Sequence, residues 1–310
     1  MQLLQIAWTV ITPIFLLIGL GFLLQRRIGF DIQSLVRLNF WIFVPALLFA
    51  QILDSHLSGA DLLSIVVHFA ILFALMFAIT WYGAKLIGAG DRLQRAMTAS
   101  VLFYNSGNYG LPVAKLAFSG DASVQAIIIM LQNVTNFTIG LALHAGGREG
   151  GNWRQTLRAV FRLPMVYTLI AAWLWRASHW PLPVPLDTAL HELVQGLVPI
   201  ALVTLGAQMA TLKSHRFSRE MALALSLRLG LGPLMGYLIV LALHNALHIH
   251  GLLAQELIVS TSFPTAVNSA LLAMEYQNEP DYAAAIVFYS TLFSAVTVSV
   301  VIYLVRQVAL

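Results

Sequence analysis

Apolar residues gather into ten runs of roughly membrane-spanning length, at 5–24, 35–53, 62–84, 94–118, 122–144, 160–176, 191–212, 219–243, 252–276 and 282–305. Short polar or glycine-bearing clusters separate them, a pattern that predicts ten helices joined by short loops. Two runs carry content unsuited to a continuous helix in hydrocarbon. The fourth contains Asn105-Ser106-Gly107-Asn108-Tyr109-Gly110-Leu111-Pro112, and the ninth Ser260-Thr261-Ser262-Phe263-Pro264-Thr265-Ala266-Val267-Asn268. A proline donates no N–H and crowds the carbonyl four residues back, and glycine adds backbone freedom. Both runs are therefore expected to unwind near mid-bilayer. Bare backbone groups survive there only when buried in protein or lining a wet cavity.

The two halves of the pattern match. Pro13 and Pro164 lie 151 residues apart, Pro45 and Pro199 154, and Pro112 and Pro264 152. Spans one to five thus correspond to spans six to ten, and because five is odd the second copy enters from the opposite side. The predicted organisation is a first repeat over residues 1–145, a cytoplasmic linker over 146–158 that opens Gly-Gly-Arg-Glu-Gly-Gly, and an inverted second repeat over 159–310. Paired interrupted spans at corresponding places are the sequence mark of a transporter's binding site.

Composition agrees with this class: 59% of the 310 residues are hydrophobic and 10% charged, against roughly 25% charged in soluble domains. There is no cysteine, which excludes disulfides and thiolate metal sites. The charge of +4 is topogenic. Thirteen of the 17 basic residues fall in loops after odd-numbered spans, Lys115, Arg176 and Arg306 fall elsewhere, and Arg228 lies inside a span. Basic loops face the cytoplasm, so both termini are expected on the non-cytoplasmic side of an inner or plasma membrane. The first run, lacking a basic leader and a cleavage site, reads as a retained span. No aromatic-interleaved basic surface suggests nucleic acid. No nucleotide-binding loop, serine elbow or zinc-protease signature suggests an enzyme or a primary pump.

Candidate chemistry concentrates at the two interruptions. If each span crosses as two half-helices, one half of each offers the positive end of its dipole to an anion. Asn105, Ser106, Asn108, Tyr109, Gly110 and Pro112 in the first break are candidate substrate contacts, as are Ser262, Pro264, Thr265 and Asn268 in the second. Asn133 and Asn136 in span five join them. Gln132 shares a helix face with Asn136, and Gln132, Ser290, Thr291 and Ser294 are further candidates. The competing reading is that small and polar residues merely hold helices together. Arg228 either snorkels toward the interface or serves as a substrate or structural counter-charge. The acidic residues, Asp121 and Glu256 among them, are placed near span ends, which argues against a carboxylate proton relay. No metal site and no cofactor are expected; a sodium ion held by backbone carbonyls and side-chain oxygens stays possible.

Several segments resemble the short prokaryotic form of the auxin efflux carrier family. Asn105 to Pro112 with Leu116 to Gly120 is similar to its fourth span, Leu205-Gly206 to its seventh, and Asn39 to Phe49 to its second. Pro264 to Asn268, Tyr276 and Ser290-Thr291-Leu292 with Ser294 are similar to its last two. The resemblance implies an all-α polytopic membrane protein of the bile acid–sodium symporter and sodium/proton antiporter type. In that fold ten helices form a five-plus-five inverted repeat in which helices four and nine are broken and cross. It implies a scaffold of helices one, two, six and seven, a moving core of the rest, and a homodimer joined through the scaffold. The implied cargo is small organic anions, auxin-type weak acids or dicarboxylates such as malonate and malate, carried by alternating access. A sodium-coupled symporter is the alternative, and a transporter-shaped sensor a more distant one.

Overall fold

The computed structural model describes residues 2–54, 57–145, 164–212 and 217–307. The linker expected at 146–158 and the basic residues Arg148, Arg154, Arg158, Arg162, Lys213 and Arg216 lie outside the described residues. Every named element among those described is helical: α1 (Gln2–Arg27), α2 (Ile32–Asp54), α3 (Gly59–Leu86), α4 (Asp91–Leu102), α5 (Leu111–Ala117), α6 (Ser123–Ala145), α7 (Pro164–Ser178), α8 (Val184–Thr211), α9 (Arg219–Leu243), α10 (Gly251–Ser260), α11 (Val267–Glu275) and α12 (Pro280–Gln307). Seven of them, α1, α2, α3, α6, α8, α9 and α12, are long and apolar enough to cross a membrane. The fourth apolar run is divided between α4 and α5, and the ninth between α10 and α11. Ordinary start signals explain the boundaries. Asp31 accepts the Gln33 amide at 3.2 Å, Ser58 and Asp61 form a reciprocal capping box, and Ser218 accepts the Met221 amide at 3.3 Å, each meeting amides that have no intrahelical acceptor.

The prolines act differently from their expected role as breakers. Pro13 and Pro45 sit inside continuous helices, each just after a widened π turn, Ala7–Ile11 and Asn39–Phe43. Pro112 and Pro233 likewise follow the π turns Ser106–Gly110 and Leu227–Leu231. A wide turn relieves the clash between the ring and the preceding carbonyls without ending the helix. Pro199 lies within α8. The first interruption accordingly lies upstream of Pro112, at Phe103–Asn105, where α4 ends and the chain runs extended before the Ser106 turn.

Close packing is set by glycine. A Cβ on Gly206 would strike the Ile18 carbonyl, and one on Gly21 would strike the Val203 carbonyl, so α1 and α8 touch backbone to backbone, the small-residue route to helix association where no hydrophobic drive exists. Elsewhere α7 lies on α2, α9 on α3, α10 on α6 and α12 on α4. Replacing Gly206 with Leu should therefore cost about 1–3 kcal/mol or more by overpacking, read as a lower melting temperature in detergent. Gly19→Leu, on α1 with nothing within 4 Å of its added Cβ, should leave it unchanged.

Candidate functional site

The two interruptions meet. The Asn105 amide donates to the Pro264 carbonyl at 2.7 Å and the Ala266 amide to the Phe103 carbonyl at 2.8 Å. These bonds flank an antiparallel bridge between Tyr104 and Thr265, so two lengths of unwound chain satisfy each other inside the protein. The carbonyls at the end of α4 are fully accounted for. Ser100 O accepts the Thr265 hydroxyl at 2.7 Å, Val101 O accepts Arg228 Nη1 at 2.8 Å, Leu102 O accepts Gln132 Nε2 at 3.3 Å, and Phe103 O accepts Ala266. At the end of α10 the carbonyls of Leu257, Ile258 and Val259 accept the hydroxyls of Ser260, Thr261 and Ser262. That of Thr261 accepts Arg228 Nη2. A buried carbonyl left without a donor would cost about 1–3 kcal/mol, and this wiring avoids that cost.

On the other side of the bridge the chain re-enters helix twice, at Ser106 and at Val267, and both starts open on one cleft of about 90 Å³, against ~10–15 Å³ for a single water. Eight side-chain amides line it: Asn39 from α2, Asn105 and Asn108 from the first interruption, Gln132, Asn133 and Asn136 from α6, Gln208 from α8 and Asn268 from α11. Ser106, Phe40, Phe103, Tyr104 and Ala266 are among the other lining residues, none of which carries a charged side chain. Asn39 Nδ2 donates to Asn108 Oδ1 at 2.6 Å, and Asn108 Nδ2 stands 3.5 Å from Gln208 Oε1. Asn105 Nδ2, Asn39 Oδ1 and Asn136 Oδ1 are buried with no hydrogen-bond partner. Three of the π turns supply lining residues, Asn39, Asn108 and Asn136, as expected where a wide turn re-aims a side chain. A larger apolar groove between α9 and α12, about 560 Å³, is walled mainly by Leu and Val and offers no set of polar groups to orient a solute.

The sequence-predicted residues divide between this cleft and its supports. Asn105, Ser106, Asn108, Gln132, Asn133, Asn136 and Asn268 line it. Tyr109, Gly110, Pro112, Ser262, Pro264, Thr265, Ser290, Thr291 and Ser294 do not; several of them brace the interruptions. Ser290 Oγ accepts the Thr265 amide at 3.0 Å, Thr291 donates to the Val287 carbonyl, and Ser294 bonds the Tyr109 hydroxyl at 2.9 Å. The Tyr109 ring meets Phe263 edge-on at 5.9 Å, and a Cβ on Gly110 would press that phenyl at 2.7 Å. Arg228 is 1% exposed and reaches neither the interface nor the cleft. Glu256, placed by the sequence near a span end, is buried at 3% exposure with both carboxylate oxygens unpartnered. Asn39 and Gln208 were missed: each is one of a few scattered polar residues in a mainly apolar run, and only the fold brings them to the site.

Membrane-length helices, two interrupted helices bonded at their breaks and an amide-lined cleft beside them are the makings of a membrane transporter. The model of the membrane transport protein family matches residues 6–153 and 152–302, and the chain belongs to that family, the auxin efflux carrier-like group its residues resemble. Among its relatives is a Rhizobium meliloti protein described as "Putative malonate transporter", 28% identical over 315 residues that cover 97% of this chain and 96% of the relative. An "Uncharacterized transporter" of Methanothermobacter thermautotrophicus is 29% identical over 271 residues, covering 86% and 87%.

The pairing of the breaks is open to a direct check. Flanking hydrogen bonds of this kind hold opposed Cα atoms about 4.5 Å apart, within disulfide reach. Tyr104→Cys with Thr265→Cys, in a chain that has no other thiol, should lose maleimide reactivity on copper-phenanthroline oxidation. Each single variant should keep it.

Proposed function

We propose that the chain is a secondary transporter that carries small organic anions by alternating access, with the carboxylate held in the amide-lined cleft. The observation that carries this reading is electrostatic. The helical starts at Ser106 and Val267 bring amides without intrahelical acceptors and two positive dipole ends to one cleft that has no fixed charge. Each end favours an anion by about 0.3–1 kcal/mol, and by up to about 2 when partly buried. Side-chain amides can donate to carboxylate oxygens. A carrier has to release its cargo, and an anion held by dipoles leaves more readily than one in a buried ion pair, whose rupture costs about 3–5 kcal/mol. The malonate named in the Rhizobium relative suits this chemistry, as do malate and auxin-like weak acids.

Around the cleft we read a ten-helix, five-plus-five inverted repeat. Its support is the exchange symmetry of the packing: α1 on α8 and α7 on α2, α4 on α12 and α10 on α6, pairs that interchange when the first repeat is swapped for the second. In this reading α1, α2, α7 and α8 form a scaffold, joined to a second copy in a homodimer. The other helices move as a core that carries the crossing breaks. Asn39 and Gln208 reach Asn108 across the boundary between the two. Both termini lie on the non-cytoplasmic side.

Asn108→Ala removes the amide at the centre of that contact. A hydrogen bond to a charged group is worth about 1.5–3 kcal/mol, so malonate uptake into proteoliposomes at low substrate should fall roughly tenfold or more with the melting temperature little changed; undiminished uptake overturns the site. For orientation, a cysteine at Gln2 should react with an impermeant maleimide from outside intact cells and one at Arg92 only after lysis.

A further inference from the structure

We propose that Arg228 is a built-in cation that takes the place of a coupling ion at the broken helices, so that no alkali ion binds there and transport proceeds without sodium. The inference rests on the broken-helix reading above and concerns the face of the crossing away from the cleft. The carbonyl ends of α4 and α10 converge there, and a helix C-terminus carries about half a negative charge. Two such ends amount to about one unit of negative charge, and in transporters of this build such ends, with unwound carbonyls, are where sodium is held. Arg228 reaches both at once. Nη1 donates to Val101 O, in the last turn of α4, at 2.8 Å, and Nη2 donates to Thr261 O, the residue that closes α10. The guanidinium carbon lies 4.8 Å from the centre of the Tyr104 ring, inside the bridge itself.

The surroundings are shaped for this group. Arg228 sits in the π turn Leu227–Leu231 of α9. Two glycines one turn apart keep the space open: a Cβ on Gly232 would stand 2.9 Å from Nη2 and 3.1 Å from Thr261 O, and one on Gly236 2.6 Å from Thr261 Oγ1. No carboxylate pairs with Arg228 among the described residues; the ion pairs there are Arg92–Glu279 and Arg219–Glu220. A guanidinium buried without an acid is costly, and here the backbone supplies the compensating charge. A planar fork that donates along two directions suits two carbonyls on separate helices better than a point charge does.

The test uses purified full-length protein. Its melting temperature is measured in sodium chloride and in N-methylglucamine chloride at equal ionic strength, and malonate uptake is measured with the same two cations under a clamped potential. The wild type should melt at the same temperature in both, with initial rates within about twofold, because a ligand stabilises only where it binds. Arg228→Gln, which leaves the carbonyl ends uncompensated, should melt lower in N-methylglucamine and be raised by sodium; Arg228→Lys, which keeps the charge but not the fork, should be raised less by sodium than Arg228→Gln. A wild type stabilised or stimulated by sodium overturns the assignment, as does a folded Gln variant indifferent to it. Should the Gln variant fail to fold, the wild-type response alone decides. The melting arm needs no substrate, so a failure of malonate uptake would count against the substrate reading and leave the sodium result standing.

Discussion

The constraint that organises this protein is the fate of backbone carbonyls and amides where two helices end inside a membrane. Water cannot satisfy them there, so protein must. The chain solves this by pairing the two defects: Phe103–Asn105 hydrogen-bonds Pro264–Ala266, and the remaining carbonyls take donors from Thr265, Gln132 and Arg228. Neither interruption could exist alone at acceptable cost. The interruptions therefore come as a pair.

From that pairing follows a separation of charge. Beside the paired breaks, the C-terminal ends of α4 and α10 turn toward Arg228, and the helical starts at Ser106 and Val267 turn toward the cleft. The negative ends are met by a guanidinium that belongs to the protein. The positive ends face a space that a solute can enter. In the function proposed above, an anion is then favoured without a lysine or arginine in the cleft. Ser262, Thr265, Ser290 and Ser294 do not line the cleft but hydrogen-bond at or behind the two breaks, and precise placement of donors depends on such support.

The broad plan was legible because hydrophobic run length and the two polar, proline-bearing stretches are strong local signals: each apolar run corresponds in place to a helix or to a divided pair of helices. The position of the first break was less so. Proline suggested Pro112, but the clash of its ring is relieved by a π turn, and the chain unwinds earlier, at Phe103–Asn105, where the partner strand is. Asn105, Asn108 and Asn268 could be chosen from their own segments. Asn39 and Gln208 could not, since an isolated amide in a mainly apolar helix, like Gln51 or Gln195 on the same helices, is uninformative until the packing of α2 and α8 against the break is known. Arg228 was visible as an anomaly, yet its partners are two backbone carbonyls far away in sequence, which no residue pattern encodes. Glu256 lies near a span's end in sequence, yet it is buried, because α10 is short and enclosed by its neighbours.

The most direct measurement is an electron cryo-microscopy map of the protein with malonate bound. The account requires density for the anion between Asn105, Asn108 and the start of α11, with the Arg228 side chain still directed at the carbonyls of Val101 and Thr261. A map in which the fourth or ninth apolar run passes unbroken through the membrane, or in which the anion sits on Arg228, would contradict it.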